Sequence, residues 1–415
     1  MTEFVADLHL HSRYSRACSR ELSVSELAKW AKLKGIGVLG TGDFTHPLWG
    51  QELKEALREA GHGLYEHAGV LFMLTVEVNT LFYVAGRCHQ IHHVLMAPSF
   101  QAVDRINQEL EAFGNLGSDG RPTLSMEAWR LVEIVRGADP RCVVVPAHAW
   151  TPHFSVFGSN SGFDTIEECF QHQAQHIFAL ETGLSSDPAM NWRLSALDRY
   201  ALISNSDSHS ARRIGREANV FAGEPSYDGI MDALRTRDPA KFLYTLEFFP
   251  EEGKYHYDGH RNCGVRWAPE EARRHQLICS KCGRKVTVGV MHRIDKLADR
   301  PEGATPTNPI PFKRTVPLDE IIAEAMGQGV GTLGVDREYQ ALVYKCGTEL
   351  DVLLKVPEED LRRHASAKIA EGILRIRQGR VHIEPGYDGE YGKVHIFHEA
   401  EAAAAAAGEQ QMTLF

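Results

Sequence analysis

Apolar positions along the chain follow two spacing regimes. Over the first ~245 residues, short runs rich in β-branched side chains recur at Phe4–Leu10, Ile36–Leu39, Val70–Val78, Ile91–Met96, Cys142–Ala147, Ile177–Leu180 and Ala201–Ser204. Runs of this length predict strands, and the stretches between them mostly carry the three-to-four spacing of amphipathic helices. In the first such helix Ser23 or Ser25 can cap, Leu27, Trp30, Ala31 and Leu33 fall on the inner stripe, and Gly35 suits the stop. Alternating βα units predict an α/β fold, a parallel sheet or a β/α barrel.

After Phe249-Pro250-Glu251-Glu252-Gly253 the pattern changes. A basic, cysteine-bearing stretch leads to a Pro-rich joint at Pro301–Pro317, and then to a mainly helical region. Pro317-Leu318-Asp319-Glu320-Ile321-Ile322 starts one helix, and Pro357–Arg380 reads as another with Leu361, Ile369, Ile373, Leu374 and Ile376 as its stripe. Glu401–Gly408 is Ala-rich and suited to a tether. The expected organisation is a barrel over 1–247, a metal-binding module over 253–300, a helical domain over 301–398, a tether over 399–410 and a terminal peptide over 411–415.

Composition narrows the classes. The 415 residues are 43% hydrophobic and 24% charged, ordinary for a globular chain. Lys and Arg (45) against Asp and Glu (55) give a net charge of −10, which excludes a uniformly basic nucleic-acid coat but leaves room for a local basic face. Eight cysteines are too sparse for a disulfide scaffold. No apolar run reaches a membrane span and the start lacks a signal-peptide pattern, so the expectation is a cytoplasmic, nucleoid-associated protein with no membrane partner.

Chemistry gathers at the strand ends. In Asp7-Leu8-His9-Leu10-His11 the two histidines lie two apart on a strand and share a face, where neutral imidazoles can hold one metal ion and Asp7 can orient a ligand. Thr41-Gly42-Asp43-Phe44-Thr45-His46, Glu77, His92-His93, His148 and Asn205-Ser206-Asp207-Ser208-His209 each close or adjoin another apolar run. A single buried carboxylate at such a position is commonly a cap or ion-pair partner. Clusters at four or five ends of one βα series point instead to a shared metal centre.

These motifs, in this order, resemble the polymerase-and-histidinol-phosphatase (PHP) family of metal-dependent phosphoesterases. The resemblance implies a distorted β/α barrel with two or three divalent metals (Zn, Mn or Mg). Carried over, His9, His11, Glu77 and Asp207 would hold one ion, and Glu77 would bridge to a second bound by His93 and His148. His209 with Asp43 or His46 would serve a third. Catalysis would rest on Asp43, Glu77, His148 and Asp207. The family's usual Asp-His pair is here split into Asp43 and His46, and His153 in the loop after Trp150 is an alternative ligand or phosphate contact.

His260-Arg261-Asn262-Cys263 and Cys279-Ser280-Lys281-Cys282 form two short ligand pairs, each followed by glycine. A Cys₃His set closes a tetrahedron and predicts one structural zinc, with His256 a rival fourth ligand. Residues 261–300 hold ten Lys/Arg against four acids. Arg261, Arg266, Arg284 and Lys285, with Tyr387 and Tyr391 of Gly386-Tyr387-Asp388-Gly389-Glu390-Tyr391-Gly392, are candidate DNA contacts through phosphate pairing and base stacking.

With Lys254–Cys263, Cys279–Gly283, Arg300–Gly303 and Gly386–Gly392 in this order, the whole pattern resembles the endonuclease Q family. That implies nicking of double-stranded DNA on the 5′ side of deaminated bases (hypoxanthine, xanthine, uracil) and abasic sites. The tail resembles sliding-clamp-binding peptides, with Gln411 hydrogen-bonding and Leu414 and Phe415 filling an apolar pocket. A small-molecule phosphatase would need neither the basic module nor the tail, and a silent DNA- or clamp-binding module would lack the strand-end ligands.

Overall fold

The computed structural model describes residues 2–397; the tether over 399–410 and the peptide Gln411–Phe415 lie outside the described residues. The largest sheet runs Phe312–Arg314, Phe242–Glu247, Ala218–Ala222, Glu3–Asp7, Val38–Gly40, Val70–Val84, Leu64–His67, Arg58–Gly61. Arg87–Ala97 branches from Val70–Val84 and pairs in turn with Val143–Pro146. Ala179–Glu181 and Ala201–Ile203 form a separate parallel pair.

The expected parallel barrel is only partly realised. Glu3–Asp7, Val38–Gly40 and Val70–Val84 are parallel neighbours, whereas Val70–Val84/Arg87–Ala97 and Glu3–Asp7/Ala218–Ala222 are antiparallel. The described ladder does not close into a ring, because Ala179–Glu181 and Ala201–Ile203 pair only with each other. The long hairpin has a local cause: Ala85 and Gly86 both take positive φ (49° and 79°), the two-residue turn whose twist matches antiparallel strands.

Local readings at the N-terminal side follow from side-chain chemistry. Val24–Lys34 is helical, Ser23 Oγ accepts from Glu26 N–H, and Gly35 ends the helix at φ 87°. Leu27, Ala28 and Ala31 enter a core shared with Leu74, Val76, Ile91, Leu131 and Trp150.

Past residue 300 the chain returns to the sheet before turning helical, with Phe312–Arg314 alongside Phe242–Glu247. Ile321, Ile322, Tyr339, Leu361 and Ile373 pack with Ala218, Val220 and Leu246 of the sheet. Lys34 and Glu349 form a buried ion pair at 2.8 Å that joins the first helix to this layer. The single helix expected over Pro357–Arg380 is two, Glu358–His364 and Ala367–Arg377. Ala365 is extended, and Ser366 caps a new start by accepting from Ile369 N–H.

Asp258–His260 and Val265–Trp267 pair antiparallel, and Val265, Trp267, Ala272 and Val286 make a small core around Cys279. Val290 and Ile294 of the following helix belong to the large N-terminal core. Among the described residues no helix is long and apolar enough to cross a membrane.

Candidate metal centre

Just past the first strand, the chain places Leu8 and Leu10 in the core and turns His9 and His11 to the opposite face, with ring centroids 5.5 Å apart. Asp7 pins the facing loop, its carboxylate accepting from Ser206 N–H (3.0 Å) and Gly215 N–H (2.8 Å). That loop carries Asp207 to within 3.1 Å of His11 Nε2 and 3.8 Å of His9 Nε2.

Glu77 divides its carboxylate between two donor groups. Oε2 lies 3.2 Å from His11 Nε2 and 3.7 Å from His9 Nε2. Oε1 lies 2.7 Å from His92 Nδ1 and 2.9 Å from His148 Nε2, and these two nitrogens are 3.2 Å apart. The donor atoms of His9, His11, Glu77 and Asp207, and separately of Glu77, His92 and His148, all fall within 4.8 Å of one another. One carboxylate shared by two such groups is the arrangement that holds a pair of cations.

The residues fit that role. His9 Nε2 is buried with no hydrogen-bond partner, while its Nδ1 lies 3.0 Å from Glu181. An N–H at Nδ1 leaves the Nε2 lone pair facing Glu77 and Asp207, the tautomer a metal ligand needs. Burial opposes protonation of His9, yet Glu181 and Glu77 outweigh it and hold the imidazole well above its ordinary range. For His11, Asp43, Asp207 and Glu77 likewise outweigh burial. A divalent cation answers to the same field, so metal binding displaces protons here. His92 differs: burial dominates and pulls it down to about 4, a neutral imidazole ready to ligate.

Three residues of the centre hold strained backbone. Asp43, His148 and Asp207 all have positive φ (50°, 31° and 45°), a conformation non-glycine residues hold only when their surroundings impose it. Close packing does so: a Cβ on Gly120 would collide with Asp43 Oδ2, and one on Gly183 with His148 Cβ.

The structure corrects several sequence expectations. His93 is not in the second group; its neighbour His92 is. Successive residues of Arg87–Ala97 face opposite ways, and His93 lies on the far side with Nε2 2.9 Å from Thr80 Oγ1 and its ring near Phe170. The Asp43 carboxylate lies outside both donor groups and is taken up by His11 Nδ1 (3.1 Å), Ser12 N–H and Oγ–H (both 2.6 Å) and Ser15 Oγ–H (2.8 Å). His46 stacks on Tyr14 with centroids 4.4 Å apart. His209 lies tilted against the His11 ring (centroids 4.6 Å apart, planes 54° apart) with Nδ1 on the Asp207 carbonyl. Asp43, His46 and His209 therefore form no third donor group among the described residues. His153 pairs with Asn160 Nδ2 and joins neither group.

Three partners escaped the sequence reading. Glu181 accepts from His148 N–H (2.9 Å) and Asn205 Nδ2–H (2.8 Å) besides contacting His9; it directly follows the run Ile177–Leu180, so the strand-end rule would have found it. Thr151 Oγ1 lies 3.0 Å from His148 Nδ1. Arg121 Nη1 donates to Glu77 Oε2 at 3.0 Å, and no local pattern marks it.

His260, Cys263, Cys279 and Cys282 also converge within 4.8 Å. Gly264 and Gly283 take positive φ (61° and 72°), closing the two knuckle turns. Burial raises Cys279, but N–H groups of Lys281 and Cys282 outweigh it and bring the thiol down to about 6, toward the thiolate a metal requires. His256 is buried beside Tyr257, apart from the cysteines. Of the candidate DNA contacts, Arg284 and Lys285 are exposed, and Tyr391 is 73% exposed beside Lys254. Tyr387 instead packs on Gly259 and Arg266 lies over the Tyr387 ring, while Arg261 is exposed, with its backbone N–H donating to Asp388.

A cavity of about 720 Å³ opens on His92, His148 and Asp207, with Arg16, Arg121 and Lys254 in its wall.

Residues 317–380 match the MJ0043 C-terminal domain family. The chain is 31% identical over 255 residues to the uncharacterized protein MJ0043 of Methanocaldococcus jannaschii, a match covering 60% of this chain and 31% of that longer protein. It is 28% identical over 414 residues to the uncharacterized protein YqxK of Bacillus subtilis, covering 95% of this chain and all of that one. The crystal structure of the lesion-specific endonuclease PfuEndoQ from Pyrococcus furiosus superposes with a TM-score of 0.86 at 31% identity, covering 96% of both chains. Endonuclease Q in complex with a 27-mer duplex bearing an abasic lesion at its active site gives 0.84 at 31% identity, covering 96% of this chain and 98% of that one. With that identity sustained across nearly the full length of both, the chain belongs to the endonuclease Q family.

Proposed function

We propose that this chain is a metal-dependent DNA endonuclease that nicks a duplex on the 5′ side of a damaged nucleotide, at abasic sites and at hypoxanthine, xanthine and uracil. The observation that carries the reading is Glu77, whose two oxygens face two separate groups of buried imidazole and carboxylate donors at the floor of a cavity. Divalent cations (Zn, Mn or Mg) held by these donors would supply the Lewis acidity that lowers the pKa of a water and neutralises charge on the phosphoryl oxygens. His9, His11 and Asp207 would hold one, His92 and His148 the other, and Glu77 both. Glu181 and Asp43 steer His9 and His11 through their Nδ1 atoms. Arg121 and Lys254 offer positive charge to the incoming phosphate. Hydrolysis joins the water oxygen to phosphorus and breaks one P–O ester bond, and the departing sugar oxygen takes up a proton.

Outside the cavity, a structural zinc on His260, Cys263, Cys279 and Cys282 would brace the basic module. Arg261, Arg284, Lys285 and Tyr391 are the exposed side chains for backbone pairing and stacking. Gln411, Leu414 and Phe415 would tie the enzyme to the replication sliding clamp; removing residues 411–415 would then abolish clamp pull-down and leave nicking of linear DNA intact.

The deciding experiment is a panel of end-labelled duplexes, each with one lesion, incubated with and without chelator. Nicks immediately 5′ to the lesion that vanish with chelator support the reading, as does their loss in Asp207→Ala and His9→Ala proteins that melt normally. Hydrolysis of a small phosphate monoester with no nicking of any duplex would overturn it.

A further inference from the structure

The loop that carries Asp207 is held from two sides. Within the barrel region its neck is tied to Asp7, Arg216 Nε and Nη2 both donate to the Ser206 carbonyl (3.0 and 2.8 Å), and His11 N–H donates to the Ser208 carbonyl (2.9 Å). Past His209 the loop bends through one 3₁₀ turn, Ala211–Arg213, with Ala211 and Ile214 set in the large N-terminal core. The two arginines of that turn reach the other way, to the helical layer after residue 317.

Arg212 spans two helices of that layer. Its Nε donates to Asp319 Oδ2 and its Nη1 to Asp336 Oδ1, both at 3.0 Å. The guanidinium lies over the rings of Trp30 (5.4 Å) and Tyr339 (5.6 Å). Arg213 Nη1 donates to Glu320 Oε1 and lies 3.9 Å from Asp319 Oδ1. Asp319 and Glu320 stand in the first turn of Leu318–Met326, and Asp336 in that of Leu333–Cys346. A helix dipole favours acids in a first turn. That preference does not explain why three of them, from two helices, meet the arginines that closely follow Asp207 in the chain. Asp319 is buried, and Arg212 Nη2 is buried with no hydrogen-bond partner among the described residues. This desolvation separates the contact from exposed ion pairs, which contribute little.

We propose that Arg212 and Arg213 are positioning residues for the metal centre: they fasten the outer bend of the Asp207 loop to the helical layer, so that this layer helps set how tightly His9, His11, Glu77 and Asp207 hold a cation. The proposal rests on the endonuclease reading above and gives residues 317–380 an effect on the chemistry at a distance. Its ground is the strained backbone of Asp207, φ 45°, which persists only where the surroundings over-determine it. The barrel's own bonds fix the neck of the loop, and the arginines fix its bend. Releasing the bend widens the range open to the Asp207 carboxylate, and a less confined ligand holds its cation more weakly.

The test is calorimetric titration of Mn²⁺ into the full-length protein, with melting and abasic-duplex nicking alongside, for the wild type, Arg212→Met, Asp319→Asn and the double variant. Methionine keeps an apolar stem against Trp30 and Tyr339 and removes the charge. Asparagine keeps the shape of Asp319, which meets the loop through the two arginines. Each single variant should weaken Mn²⁺ binding about five- to tenfold, the low end of coupling between sites because the neck stays tied. The double variant should bind no more weakly than Arg212→Met, since both changes cut one connection, and nicking at saturating Mn²⁺ should keep its KM for DNA. Where Arg212→Met does not fold, Asp319→Asn carries the test. Unchanged Mn²⁺ affinity overturns the proposal: with lower melting the arginines are supports of the fold, and with a raised KM they are DNA contacts. A wild-type protein that neither binds Mn²⁺ nor nicks the duplex would instead remove the endonuclease reading, and this proposal with it.

Discussion

Glu181→Gln tests whether the buried carboxylates tune the donor set or merely fill space. Every partner of Glu181 is a donor: Asn205 Nδ2 at 2.8 Å and His148 N at 2.9 Å, with His9 Nδ1 3.0 Å from both oxygens. An amide of the same shape must turn its NH₂ toward one of them, leaving a donor facing a donor in a fully buried site, a loss of about 1–3 kcal/mol of stability. It also removes the charge that favours the proton on His9 Nδ1, so the Nε2 lone pair is no longer guaranteed. Groups that orient a ligand in this way are worth about 10–100-fold in metal affinity, or about 1.4–2.7 kcal/mol at 1.36 kcal/mol per decade. The assay is nicking of an abasic duplex against free metal set by chelator buffers, with thermal melting alongside. The expected result is an activation curve displaced one to two decades toward higher metal, a rate at saturation near wild type, and a lower melting temperature. Superimposable activation curves would refute the assignment of Glu181 to ligand orientation.

Other perturbations probe the rest of the fold. Glu247 is fully buried and its carboxyl is pushed up to about 8, chiefly by burial, with Asp187 adding to it and Thr245 and Thr182 opposing. The folded state then holds a proton that the unfolded chain releases near pH 4.5, so stability is highest below that value and falls as pH rises toward 8; Glu247→Gln should flatten the melting temperature across pH 5–8, and an unchanged slope would contradict the burial argument. Glu349 accepts from Lys34 Nζ (2.8 Å), Tyr339 Oη–H (2.7 Å) and Leu318 N–H (3.2 Å). Glu349→Ala should destabilise by about 3–5 kcal/mol in denaturant melts, because it strands a buried ammonium, and Lys34→Met in the same chain should recover part of that loss. Replacing Cys279 and Cys282 together by serine should open residues ~255–300 to protease, since closed metal sites supply folding energy to small modules; an unaltered digestion pattern would count against a structural metal there.

Much of the centre was legible because its ligands obey local rules. His9 and His11 sit two apart on a strand, Glu77 and His148 terminate apolar runs, and the paired knuckles announce a tetrahedral set by spacing alone. The choice between His92 and His93 was not legible, since adjacent residues differ only in which face they present and that depends on pairing register. Asp43 reads as a ligand from its motif, yet Ser12 and Ser15 occupy its carboxylate. Arg121 sits in a segment with no periodicity, and its role arises from a contact across ~44 positions with Glu77.

By itself, then, the order of residues determined the elements, their caps and the chemistry at strand ends, because these depend on neighbours within a few positions. Whether the strands run parallel or antiparallel, which histidine of a pair turns inward, and how one carboxylate comes to serve two groups were decided only by tertiary structure. Those outcomes follow from which long-range pairings bury the most apolar surface while leaving the fewest polar groups unmatched, a balance struck over the whole chain.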